Sequence, residues 1–219
     1  MSLPPTPPLL QATGLEGQRG ERVLFRGLEL ALAPADVVWL RGRNGRGKTT
    51  LLRLLAGLAT PTAGEIRFAA AGLKGAGAQW RRELMYVGHA NALKDDLTAS
   101  EALTFLASLR GAAPLAGDVR AALARLGVAE RARAPVRTLS QGQRRRVALA
   151  RLALPEAPRV WLLDEPYDAL DVHGVATLDA LLAEHAARGG ATLLTSHQAL
   201  TLTQPQPRTF DLDLFAVGA

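Results

Sequence analysis

Residues 37–40 (Val-Val-Trp-Leu) and 160–163 (Val-Trp-Leu-Leu) are unbroken apolar runs, too short for helices. Such runs read as strands covered on both faces. Residues 23–32, 66–69, 84–87 and 191–195 read as further strands, with a Gly/Ala-rich connection between the second and third of these. Helical patterns lie between them. Residues 49–58 read as a helix stopped by Thr60-Pro61-Thr62-Ala63-Gly64, and residues 172–188 read as another. From about 97 to 154 the pattern is helical throughout. Thr98-x-x-Glu101 fits a capping box ahead of a helix over 102–109, and a helical pattern over 119–126 ends at Gly127. Ser140-x-x-Gln143 fits a second capping box, opening a helix that runs to Pro155.

Strands alternating with helices predict an α/β fold with a largely parallel sheet. Residues 1–8, with prolines at 4, 5, 7 and 8, read as a flexible leader. Residues 9–219 read as one domain, with a helical subdomain inserted over about 90–155. No run approaches the roughly 18 apolar residues that span a bilayer. The leader lacks the charged start of a secretory signal. The chain is therefore expected in the cytoplasm, with any membrane role depending on a partner.

Composition narrows the chemistry. Apolar residues make up 48% and charged residues 21%, which excludes global disorder. There is no cysteine, so disulfides, zinc thiolates, iron–sulfur clusters and cysteine nucleophiles are excluded together. The net charge is +6, and Lys48, Lys74 and Lys94 are the only lysines among 26 basic residues. A basic chain raises nucleic acid or an anionic membrane as partner. The richness in Ala, Leu and Gly offers a plainer source for the arginines, the codon usage of a GC-rich genome.

Gly42-Arg43-Asn44-Gly45-Arg46-Gly47-Lys48-Thr49 matches G-x-x-x-x-G-K-[ST], after one expected strand and at the start of an expected helix. Glycines let the backbone aim its N–H groups at phosphate oxygens, and the helix start adds positive potential. Lys48 then falls to the β- and γ-phosphates, Thr49 to Mg²⁺ and Thr50 to the α-phosphate. Residues 160–163 end in Asp164-Glu165-Pro166, which exposes two carboxylates at a strand's C-terminal end, where ligands of such sheets bind. Asp164 suits Mg²⁺, directly or through water, and Glu165 suits orienting or deprotonating an attacking water. Residues 193–195 likewise end in Ser196-His197, and His197 is placed to bond the γ-phosphate. His185 shares helical register with Val175, Leu178 and Leu182 and reads as a boundary packing residue; His173 reads as a solvated one.

The order of these motifs, with Leu139-Ser140-Gln141-Gly142-Gln143 between them and Ala169-Leu170-Asp171 after the acids, resembles the nucleotide-binding subunits of ABC transporters over nearly the whole chain. The resemblance implies a P-loop ATPase with a largely parallel core sheet, an N-terminal antiparallel β portion and the inserted helical subdomain. It implies ATP and Mg²⁺, and a head-to-tail homodimer sandwiching two ATPs. In that dimer Ser140, Gln141, Gly142, Gln143 and Asp171 serve the nucleotide, and Ser140 and Gly142 face the γ-phosphate held by the other chain's Lys48.

Three positions depart from the common pattern. Many relatives place an adenine-stacking aromatic near Arg19, which leaves Arg19 and Arg22 as alternatives. His89 stands where most carry Gln, and Gln141 where Gly is commoner. The stretches around His89, around the signature and from Asp164 to Asp171 are similar to the haem-exporter ATPases of cytochrome c maturation. That resemblance implies separate transmembrane subunits at the cytoplasmic face of a bacterial inner membrane. It places His89 near the catalytic water, the Mg²⁺ region or the coupling surface. Another small-molecule cargo, or a soluble ATPase acting on ribosomes or nucleic acid, are the alternatives. No nucleic acid is expected, because Arg43, Arg46 and Arg144 to Arg146 fall where triphosphate charge and a partner chain are expected.

Overall fold

The computed structural model describes residues 7–68, 71–72, 80, 82–155 and 157–217. Residues 1–6 of the expected leader, Ala69 of the expected 66–69 strand and most of the Gly/Ala-rich connection lie outside these.

Five parallel strands form the central sheet: β3 (Val37–Arg41), β6 (Leu84–Val87), β7 (Val160–Leu163), β8 (Ala191–Thr195) and β9 (Arg208–Asp211), in the order β6-β7-β8-β3-β9. The apolar runs become its middle because both faces are covered. Val160 and Leu162 join one hydrophobic core while Trp161 and Leu163 join the other, and β8 divides in the same way. Alternate side chains of one strand thus feed two cores.

One core lies under the helices α2 (Ala99–Ser108), α3 (Ala116–Arg125), α4 (Gln141–Leu149) and α5 (Val172–Ala187). The other lies between the central sheet, helix α1 (Lys48–Leu55) and a second, antiparallel sheet. That sheet has the order β2-β1-β4-β5, built from β1 (Leu10–Arg19), β2 (Arg22–Leu32), β4 (Ala63–Phe68) and β5 (Ala71–Gly72). At Gly17 on β1 a Cβ would lie 2.3 Å from the Phe25 ring, so the missing side chain lets that ring into the core.

Both capping boxes form. Thr98 accepts the Glu101 N–H at 3.3 Å, and the Glu101 carboxylate takes the Thr98 N–H at 2.8 Å. Ser140 and Gln143 exchange the same bonds at 3.2 and 3.0 Å. The helix after Ser140 is α-helical only to Leu149; its last turn, Ala150–Ala153, tightens to a 3₁₀ form. Leu154 then turns extended (φ −69°, ψ 149°), as a residue before proline must. Helix α1 stops three residues short of the expected 58. Gly57 adopts φ 68° and closes it, with the Leu58 N–H reaching back to Arg53 O at 2.8 Å.

Candidate functional site

Parallel strands deliver their C-terminal ends to one edge of the sheet. β3 there leads into the phosphate loop, β6 into Gly88-His89, β7 into Asp164-Glu165 and β8 into Ser196-His197. Register matches these exits, with Leu40 opposite Thr195, Leu163 opposite Leu194 and Val87 opposite Leu163.

The result is an open cleft of about 290 Å³. Of the residues singled out in the sequence, Arg19, Arg43, Asn44, Gly45, Gly47, Lys48, Thr49, Thr50, His89, Asp164, Glu165 and His197 line it, with Leu24. Gly47 caps α1 with no side-chain bond at φ 104°, and a Cβ there would meet Leu24 Cδ1 at 3.0 Å. Only glycine lets the loop pass so close to β2 in that conformation. Lys48 Nζ donates to Gly42 O at 2.7 Å, curling the lysine across the loop.

The acids are held by neutral groups. Asp164 is 3% exposed and accepts hydrogen bonds from Thr49 Oγ1 at 2.8 Å and Thr195 Oγ1 at 2.9 Å. Glu165, 7% exposed, donates its N–H to Thr195 Oγ1 at 2.8 Å. Its carboxylate accepts the His197 N–H at 3.0 Å and lies 3.6 Å from His197 Nε2. Nearby, burial and then the Asp164 charge raise the Tyr86 hydroxyl above its ordinary value.

The donor set suits Mg²⁺. Thr49 and Asp164 offer a hydroxyl and a carboxylate 2.8 Å apart, and no cluster of three metal-ligating His, Cys, Asp or Glu side chains occurs among the described residues. Mg²⁺ is commonly held by one or two protein oxygens, with phosphates and waters completing its shell.

Other residues lie elsewhere. Ser140, Gln141, Gly142 and Gln143 open α4 and do not line the cleft of their own chain. Asp171 caps α5 by accepting the Gly174 N–H at 2.8 Å and pairs with Arg146; that backbone bond is the main reason its carboxyl titrates below the usual range. Of the five arginines expected near triphosphate charge or a partner chain, Arg145 departs from that expectation. Arg43 lines the cleft, but Arg46 faces Asp213 at 3.6 Å. Arg144 is tied to Leu139 O, Arg137 O and Asp95, and Arg145 is buried. These side chains satisfy acceptors of their own chain, which periodicity does not reveal.

His185 is not at a boundary. It is 3% exposed and stacks on Trp161 with ring centroids 3.7 Å apart. Thr195 and Asp213 were missed. Thr195 is an ordinary strand residue by pattern, and only the register of β7 and β8 sets it between both acids. Asp213 comes from the C-terminal turn after β9 and accepts the Arg43 N–H at 3.1 Å. Nothing in the sequence links it to the loop, 170 residues away.

Comparison with known proteins agrees with this geometry. The sequence profile of the family described as ABC transporter matches residues 25–168. A protein named cytochrome c biogenesis ATP-binding export protein CcmA, from Aromatoleum aromaticum, is 46% identical over 94% of this chain and 95% of its own length. A putative ABC transporter ATP-binding protein from Pyrococcus furiosus shares the fold, with a TM-score of 0.81 at 22% identity over 95% of this chain and 99% of its own. A bacterial ABC transporter cassette solved as a dimer has a TM-score of 0.74 at 25% identity, over 86% of this chain and 88% of its own.

Proposed function

This chain belongs to the ABC transporter family, and from that premise we propose that it is the ATP-hydrolysing subunit of a membrane complex exporting haem for cytochrome c biogenesis. The observation carrying the reading is the meeting of Lys48, Thr49, Asp164, Glu165 and His197 in one cleft at the ends of three adjacent parallel strands. The haem assignment rests on the name of the 46% identical relative and on the His89 and signature stretches.

In this reading the backbone N–H groups of residues 43–50 receive the phosphates. Lys48 exchanges Gly42 O for the β- and γ-phosphate oxygens. Thr49 and Asp164 would hold Mg²⁺, which when bound would supply positive charge to the triphosphate. Glu165 orients the attacking water and draws its proton, while His197 bonds the γ-phosphate. His89 faces the same space from the end of β6 and serves as a further contact to the water. Ser140 and Gly142 complete the site of a second copy, consistent with their place outside their own cleft and with the dimeric relative. Separate transmembrane subunits at the bacterial inner membrane carry the cargo.

Glu165→Gln should keep MgATP binding and dimerise, yet hydrolyse about 10²-fold or more slowly. Normal turnover in that variant would sink the role given to Glu165. Cells lacking the chain should lose covalent haem staining of c-type cytochromes, restored by the wild type and not by Lys48→Ala. Unchanged staining would remove haem as the cargo.

A further inference from the structure

Arg145 lies on α4, two residues past the signature, yet it is 3% exposed. Its guanidinium is turned into its own chain. Its guanidinium donates to Gly88 O at 3.0 Å, Asn91 Oδ1 at 3.2 Å, Asp164 O at 3.0 Å and Glu165 O. These four acceptors belong to two loops, one leaving β6 and one leaving β7. All four are neutral, and its Nε is buried with no partner among the described residues. Burial pulls the group below its ordinary range, although Asp168, Asp164 and Glu165 nearby favour its charge. A buried cation so poorly compensated is costly. A planar fork with five donors is what bridges two loops at once.

Glu165 sits at φ 49°, the left-handed region that non-glycine residues rarely adopt. Thr195 Oγ1 holds its N–H and Arg145 holds its C=O. Pinned at both ends, the residue aims its carboxylate at the His197 N–H. The other half of the fork holds Gly88 and Asn91, which bracket His89.

We propose that Arg145 is a positioning residue for hydrolysis, carrying the placement of α4 to the Glu165 backbone and to the His89 loop of the same chain. Displacement of α4 then moves the hydrolytic carboxylate and His89 together. This rests on the reading of Glu165 given above.

The test is steady-state turnover and MgATP binding by the full chain with its membrane subunits, in Arg145→Gln and Arg145→Lys. In Arg145→Gln, kcat should fall about 20-fold or more while the MgATP Kd stays within about 3-fold. Arg145→Lys, with three donors, should recover part of kcat. Asn91→Ala should lower kcat about 3-fold in the wild type and add almost nothing in Arg145→Gln, as coupled residues do. A kcat within about 2-fold of wild type in Arg145→Gln would overturn the proposal. So would a Kd that rises in step with the loss of kcat, the mark of a merely structural role. If Arg145→Gln does not fold, Asn91→Ala decides, and an unchanged kcat there overturns it. Glu165→Gln run in parallel separates the failures. Fast turnover in that variant sinks the reading of Glu165, whereas slow turnover there beside a normal Arg145→Gln sinks only the role of Arg145.

Discussion

His185 makes the stability of this protein depend on pH in a way the structure specifies. The imidazole is buried against Trp161, ring on ring, with Nε2 unpartnered among the described residues. A Cβ on Gly190 would fall 2.2 Å from the ring, so the pocket has no slack in which solvent could reach it. Burial pushes its titration down from 6.5 to about 4, with backbone bonds to Ala191 and Arg159 opposing and Arg188 assisting. The folded state therefore holds the imidazole neutral while the unfolded chain protonates it below its ordinary value. Between those limits the unfolded state binds more protons, so stability rises with pH. The contribution is whole above about pH 6.5 and is lost as pH falls toward 4. Its full size is about 3 kcal/mol, and about 2 kcal/mol is gone by pH 5. His185→Gln cannot titrate. Urea unfolding at pH 7.5, 6, 5 and 4.5 should show the wild type losing about 2 kcal/mol more than the variant between the first and third of these. The comparison of slopes cancels the variant's packing defect and the carboxylates common to both chains. Parallel curves would refute the reasoning.

Three further outcomes follow from the geometry. Thr195→Val keeps the shape but leaves the Glu165 N–H and one Asp164 oxygen without a partner; it should cost about 2 kcal/mol in urea unfolding and lower turnover, whereas Thr195→Ser should stay near wild type. Asp213→Ala frees the Arg43 N–H and Arg46 and should weaken MgATP binding about 3-fold or more, by loosening the loop before it binds. Asp213→Asn, which keeps an acceptor, should lose less, and an unchanged Kd in Asp213→Ala by calorimetry would dismiss the loop-restraint idea. Thr98→Ala removes the cap of α2 and should cost about 1 kcal/mol, seen as a drop of roughly 2–4 °C in a circular-dichroism melt; an unaltered melt would mean the cap is redundant.

Much of this architecture was legible before any coordinates. Both capping boxes were readable because the bond each makes spans only three residues. The central strands were readable because a strand buried on both faces must be apolar at every position, as 160–163 is. The phosphate loop and the Asp164-Glu165 pair were readable because local backbone demands and local chemistry coincide there. Strands β1 and β9 were not. β1 carries glycines and register shifts that break its alternation, and β9 is a short polar stretch that becomes a strand only by pairing with β3. His185 looked like a boundary residue because helical register shows which side a residue faces but not how deep that side lies.

The phosphate loop and the acids that follow β7 were legible from the chain alone, since each rests on contiguous residues whose geometry is set within a turn or two; the α/β class and the family followed from the order in which such local signals succeed one another along the chain. Tertiary structure alone decided which arginines are free. Arg43 faces the cleft, Arg46 meets the C-terminal Asp213, and Arg145 turns inward to bind two loops together. It also decided that Thr195 stands between both acids. The reason is the same in each case. A side chain's partner 20 to 170 residues away is chosen by strand order and register, and those are settled by the burial of the whole sheet rather than by any local stretch of chain.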